Sequence, residues 1–217
     1  MHLAVGTSFA IIIPTSLISV LTHKKHGSVD FSVIKNYAIF VIIGVLSGTM
    51  FAAILHTKSL LLFFTVIVYL LGAYLLNLRD KKNKLKTNFN LLPRVLLGFV
   101  SGFISATMGI GGAVMNVPIL RYFGYPISKA IGSAAAIGSV ISLFGAIGFL
   151  ITGSYLKTDL PLSIGFINIP AFLIFIPITM VMARVGANTV QKIDKSKLQR
   201  FFGIFLYVVG TIFLYRY

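Results

Sequence analysis

The sequence contains no cysteine and no glutamate, and its acidic residues are four aspartates, Asp30, Asp80, Asp159 and Asp194. Without cysteine there is no disulfide, no zinc–thiolate site and no cysteine nucleophile. Each aspartate falls in a polar stretch, so no carboxylate lies inside an apolar run. Carboxylates within a membrane mark proton relays and cation sites. Their absence argues against a carboxylate-driven proton pump, a calcium carrier or an intramembrane aspartyl protease. No Walker A, G-x-S-x-G, H-E-x-x-H or Rossmann pattern is present. Serine and threonine are plentiful, but no span supplies a partner acid or base, so an enzyme is not expected. His2, His23, His26 and His56 stand at span ends without metal-ligand spacing, and neither metal nor cofactor is expected. The N-terminus has no basic region followed by a small-residue cleavage site, so no signal-peptide pattern is read there.

Charge is also scarce, at 11% of residues against about 25% in soluble domains. What fills the chain is apolar: 57% of its 217 residues are hydrophobic and the mean hydropathy is +0.96. Runs near the ~20 residues needed to cross a bilayer recur at about 3–21, 37–55, 60–78, 130–152, 163–183 and 201–215. The expectation is an all-α, polytopic membrane protein with the lipid bilayer as partner; self-association is left open. A net charge of +15 would suggest nucleic acid for a soluble protein. Here the basic residues sit in short loops between spans, as the positive-inside rule expects, and no nucleic-acid partner is read.

The stretch Leu96–Tyr125 is apolar yet carries Gly98, Gly102, Gly109, Gly111, Gly112, Asn116 and Pro118. Glycine costs a helix about 1 kcal/mol and proline about 3, so a plain lipid-facing anchor would avoid them. We expect the backbone to break between Met108 and Pro118, with Pro118 starting a return arm.

An internal repeat accompanies it. Ala4–Ile11 lies over Ala130–Ile137, and the same offset puts Gly27-Ser28 over Gly153-Ser154. After inserted residues, Phe63-Phe64, Tyr69 and Gly72 lie over Phe201-Phe202, Tyr207 and Gly210. The reading is a first repeat at 1–78, a basic linker at 79–94 and a second repeat at 95–217. The second repeat opens with the glycine-rich stretch. The first lacks a counterpart, so a matching hairpin of roughly thirty residues is expected ahead of Met1.

Charge placement favours a hairpin over a crossing. If 96–125 crosses once, basic residues divide 11 to 8 between the two sides; if it enters and returns, they divide 16 to 3. Strong asymmetry is the rule. Loops 23–35, 79–94 and 184–200 then share the cytoplasmic side of the inner membrane. With three crossings plus a hairpin per unit, the repeats are inverted, a recurrent transporter design with its substrate near the midplane.

Irregular backbone at membrane depth is tolerated where protein buries it or water fills a cavity. A break at Gly109, Gly111 and Gly112 frees N–H groups at a helix N-terminus, which suits a small anion, and Asn116 can donate from its amide. Gly6, Thr7 and Ser8, with Gly132 and Ser133, would begin the helices after each hairpin and complete the site. Close helix packing is the competing role for the glycines and hydroxyls.

The block Gly102–Leu120, with Gly109-Ile110-Gly111-Gly112 and Asn116-Val117-Pro118, resembles the signature of the TauE/SafE sulfite exporter family. His2–Ser8, with Pro14-Thr15-Ser16 and Gly27, resembles the end of that signature in the first half, and Ala130–Gly153 its second-half copy. Ala113 stands where the family usually has a third glycine, and the first-half glycine block is absent. The resemblance implies a permease of the cytoplasmic membrane for a small anionic substrate, sulfite, sulfonate or a related organic anion. The alternative is a non-transporting accessory subunit or an inactive remnant.

Overall fold

The computed structural model describes residues 1–77, 91–156, 161–190 and 193–215. The basic stretch 78–90, with most of the expected linker, lies outside the described residues, as do Lys157, Asp159 and Arg216. The order is α1 (His2–Lys25), α2 (Phe31–Ile54), α3 (Thr57–Asn77), α4 (Leu91–Met108), α5 (Ala113–Tyr122), α6 (Ile127–Tyr155), the short strands β1 (Ser163–Ile164) and β2 (Ile167–Asn168), α7 (Ile169–Thr189) and α8 (Lys195–Tyr215). Helices α1, α2, α3, α4, α6 and α7 are long and apolar enough to cross a membrane. Most run several residues past the apolar runs, because polar ends such as His23–Lys25 and Phe31–Asn36 continue the same helix. The segment before α7 is instead an antiparallel turn, with Ser163 opposite Asn168.

The core is built on α1 and α6, which lie antiparallel. Phe9 stacks on Phe149, and a side chain at Gly145 would collide with the Phe9 ring. Helix α2 packs on α6 and α7 packs on α1. Helix α4 lies parallel to α2 at close range: a Cβ on Gly102 would overlap the Val41 carbonyl and one on Gly44 the Phe99 carbonyl. Small residues allow such approach where lipid leaves little hydrophobic drive between helices. Phe9, Tyr37, Val41, Ile137, Ile141 and Phe149 fill the centre.

Loop length alone makes α2 and α3 antiparallel neighbours; they are antiparallel, but α3 packs chiefly on α8. Leu55 is extended (φ −73°, ψ 137°), and Val68 of α3 packs with Met108 of α4 and Leu206 of α8. Tyr69 meets Tyr207 edge-on at 5.2 Å and bonds the Thr211 hydroxyl at 2.8 Å.

Two sets of contacts at opposite ends of the bundle match residue for residue. At one end Gly6 lies against the Phe166 carbonyl and the Phe149 Cβ; at the other Gly132 lies against the Ser28 carbonyl and the His23 Cβ. The Asn168 N–H donates to Thr7 Oγ1 at 2.9 Å, and the Asp30 N–H donates to Ser133 Oγ at 2.9 Å. Asn168 then caps α7 by accepting from Ala171 N, and Asp30 caps α2 by accepting from Ser32 N. Gly27 and Gly165 hold the preceding turns with φ of 64° and 55°. Gly27 therefore corresponds to Gly165, not Gly153: α6 outlasts α1 and carries Gly153 within its last turn.

Candidate functional site

Helix α4 enters the bundle from the end that holds Lys24, Lys25, Asp30 and the start of α6, with Gly98 against Tyr37 and Phe40. It stops at Met108 because Gly109 adopts φ +67°, the left-handed conformation glycine supplies at a helix end. The Ile110 N–H reaches back to the Ser105 carbonyl at 3.3 Å, the six-to-one bond of a Schellman stop. Four residues later the chain is helical again. Gly112 is the N-cap of α5 and has no side-chain cap. Its carbonyl accepts from Asn116 N at 2.9 Å and from Asn116 Nδ2 at 2.7 Å. The N–H groups of Ala113, Val114 and Met115 thus precede the first intrahelical bond and have no acceptor within α5.

The break lies deep. A Cβ on Gly112 would stand 2.6 Å from Ile141 Cδ1 and 3.2 Å from the Gly138 Cα, near the midpoint of α6. From there α5 returns along α6. At 10 residues it is about 15 Å long, half the ~30 Å apolar core of a bilayer. Its exit, Gly124 (φ +83°) and Tyr125, is at the end where α4 entered. Burial, and then the charge of Asp30, push the Tyr125 phenol up, while Arg94 at the start of α4 pulls it down. Three segments, 30, 94 and 125, therefore meet at one end. The entering-and-returning path expected from charge placement is the path observed. Among described residues, Lys24, Lys25, Lys35, Arg94, Arg121, Lys129, Arg184, Lys197 and Arg200 lie toward this end, and Lys58 stands at the other.

The return arm starts at Ala113, and Pro118 lies inside α5; its missing N–H removes one bond without ending the helix. Gly109, Gly111, Gly112 and Asn116 gather at the break. Ser8 joins them from α1, donating to the Gly109 carbonyl at 3.0 Å, and a Cβ on Gly111 would face Ile12 Cγ2 at 3.5 Å. Gly6, Thr7, Gly132 and Ser133 are not brought there: they seat the two capping turns described above. Sequence reading missed Gly138, which leaves room beside the Gly112 N–H: a Cβ on it would stand 3.2 Å from that nitrogen. A lone glycine in a long apolar helix carries no signal until its neighbour is known.

Asn116 is fully buried, and its Oδ1 has no hydrogen-bond partner. His2 bonds the Ala52 carbonyl at 2.8 Å and stacks on Phe166, one turn before Val5, against which Gly109 sits. Among the described residues no group of histidine and acidic side chains could hold a metal ion.

A bundle of membrane-length helices with a glycine-broken half-helix packed against one of them is the architecture of a membrane transporter. The comparisons agree. The model of the sulfite exporter TauE/SafE family matches residues 1–213, and the chain belongs to that family. A probable membrane transporter protein of Haemophilus influenzae is 31% identical over 212 residues, 97% of this chain and 80% of that protein. One from Methanocaldococcus jannaschii is 26% identical over 97% of this chain and 78% of its own length. Bacillus subtilis YunE, also a probable membrane transporter protein, is 23% identical over 99% and 81%. No solved structure matches.

Proposed function

We propose that this chain is a secondary permease for a small anion, sulfite, a sulfonate or a related organic anion, working by alternating access around the break at Gly109–Gly112. The observation that carries the reading is the uncapped N-terminus of α5, which starts beside the midpoint of α6 with Gly112 and Asn116 buried there, in a bundle whose spans hold no carboxylate. Its partial positive charge and free N–H groups suit an anion. The matched contacts of α1 with the 165–168 turn and of α6 with the 27–30 turn support two inverted repeats, 1–78 and 95–217, joined by the basic linker. The basic end is then cytoplasmic and the membrane is the cell's inner membrane. Asn116 is closed over in this conformation, so substrate entry requires α5 to move against α1 or α6. The Ser8–Gly109 bond is one contact that must adjust.

The test is sulfite or sulfonate flux in proteoliposomes. Asn116→Ala should slow sulfite flux about tenfold, the worth of one buried hydrogen-bonding group. Gly111→Leu should stop it by filling the side facing Ile12. Wild-type flux in both variants would remove the break from the mechanism, and no flux in the unaltered chain would favour the non-transporting accessory reading.

A further inference from the structure

We infer that the site takes its substrate as a singly charged oxyanion that still carries a hydroxyl, as hydrogen sulfite does, and that Asn116 reads that hydroxyl. The inference rests on the anion-site reading above and narrows it.

Two independent features of α5 carry it. The first is charge. The site offers an anion the end of one helix, equivalent to about half a positive charge. The neighbours of Gly112 are Ile141, Gly138 and Asn116, and that of Gly111 is Ile12; none of them is charged. A doubly charged oxyanion would sit at depth with most of its charge unbalanced, which is costly in a low-dielectric setting.

The second is the amide of Asn116. Its Nδ2 donates to the Gly112 carbonyl at 2.7 Å, so the side chain folds back onto the first turn of α5. Turning the amide over would set two oxygens at that distance, which fixes Oδ1 as the unpartnered atom. Oδ1 accepts only, so a simple anion gives it nothing. A ligand bearing both a negative oxygen and an O–H satisfies both groups at once: the oxygen accepts from the N–H groups of the first turn, and the hydroxyl donates to Oδ1. An unsatisfied buried acceptor is then a selector, because a site built to bond a substrate hydroxyl rejects analogues that lack it.

The experiment is equilibrium binding of sulfite and of methanesulfonate to the purified 217-residue chain, across the pH range in which sulfite takes up its first proton. Methanesulfonate stays singly charged throughout and has no hydroxyl. Sulfite affinity should follow the hydrogen sulfite fraction, falling toward tenfold per pH unit above that ionisation. Methanesulfonate should bind about tenfold more weakly and independently of pH. Asn116→Leu should weaken sulfite about tenfold and leave methanesulfonate within about twofold. Sulfite affinity that rises as the dianion accumulates would overturn the inference, as would equal weakening of both anions by Asn116→Leu. The pH dependence of the unaltered chain decides the matter even if the variant does not fold. Binding of methanesulfonate without any hydroxyl preference would leave the anion site standing and remove this inference alone; binding of neither anion would remove both.

Discussion

Helices α2 and α7 begin alike and end in different surroundings. Each follows a turn with a positive-φ glycine, each is capped by its own Asp or Asn, and each cap N–H bonds a hydroxyl of a neighbouring helix. Counting from the caps, Gly48 of α2 takes the place of Gly186 of α7. A Cβ on Gly48 would lie 2.6 Å from the Phe103 carbonyl and 2.8 Å from Ala106 Cβ; around Gly186 there is nothing within 4 Å. The difference is α4, which covers α2 and, among the described residues, has no equivalent on α7, where Ile174, Ile178, Val181 and Val185 stay exposed. The same local signals make the same helix, and the neighbour alone decides what a residue on its face is worth.

Substitution should separate the two faces sharply. Gly48→Leu must push α4 away and should cost about 3 kcal/mol. Gly186→Leu meets open space and gains helix propensity, so it should fall within about 0.5 kcal/mol of neutral. Thermal stability in detergent, read by size-exclusion recovery, checks both; equal losses would break the contrast between the faces.

Where the halves match, effects should match. Thr7→Val and Ser133→Ala each leave one capping-turn N–H without its acceptor, a loss of about 1 kcal/mol apiece. The two lie at opposite ends of the bundle, so the double variant should be additive within about 0.5 kcal/mol. A strongly unequal pair would show that the correspondence is only of shape.

The smallest effect concerns Tyr125. Its phenol is raised above the ordinary range by burial and Asp30, so the folded state holds that proton more tightly than the unfolded chain. Its contribution is complete below the unfolded value of about 10 and is lost as pH rises through the folded value. Tyr125→Phe should flatten the alkaline decline in stability measured by the same assay.

Much of this was readable from residues, for identifiable reasons. The spans follow from apolar length, the stop of α4 from Gly109, and the returning path from charge placement, because bilayer thickness and the positive-inside rule act on sequence directly. The likeness of the two small-residue clusters was readable in Gly6 and Gly132, since each must let a carbonyl approach. The register of its second part was not: the length of α6 moved the counterpart of Gly27 from Gly153 to Gly165. The roles of Thr7 and Ser133 were also hidden, because a hydroxyl near a helix start reads equally as ligand contact or turn acceptor until the facing N–H is known. Asn116 was legible as polar in an apolar stretch, but its unpartnered oxygen depends on the fold of its own helix turn.

The most direct test is side accessibility on either flank of the broken stretch. The cysteine-free chain allows single cysteines in place of exposed Leu92, at the start of α4, and exposed Lys129, at the start of α6, with exposed Tyr155 as the opposite-end control. A membrane-impermeant maleimide should label positions 92 and 129 only in inside-out vesicles and position 155 only in right-side-out vesicles. Labelling of 92 and 129 from opposite sides would mean that residues 91–125 cross the membrane, and the returning half-helix with its proposed anion site would fall with them.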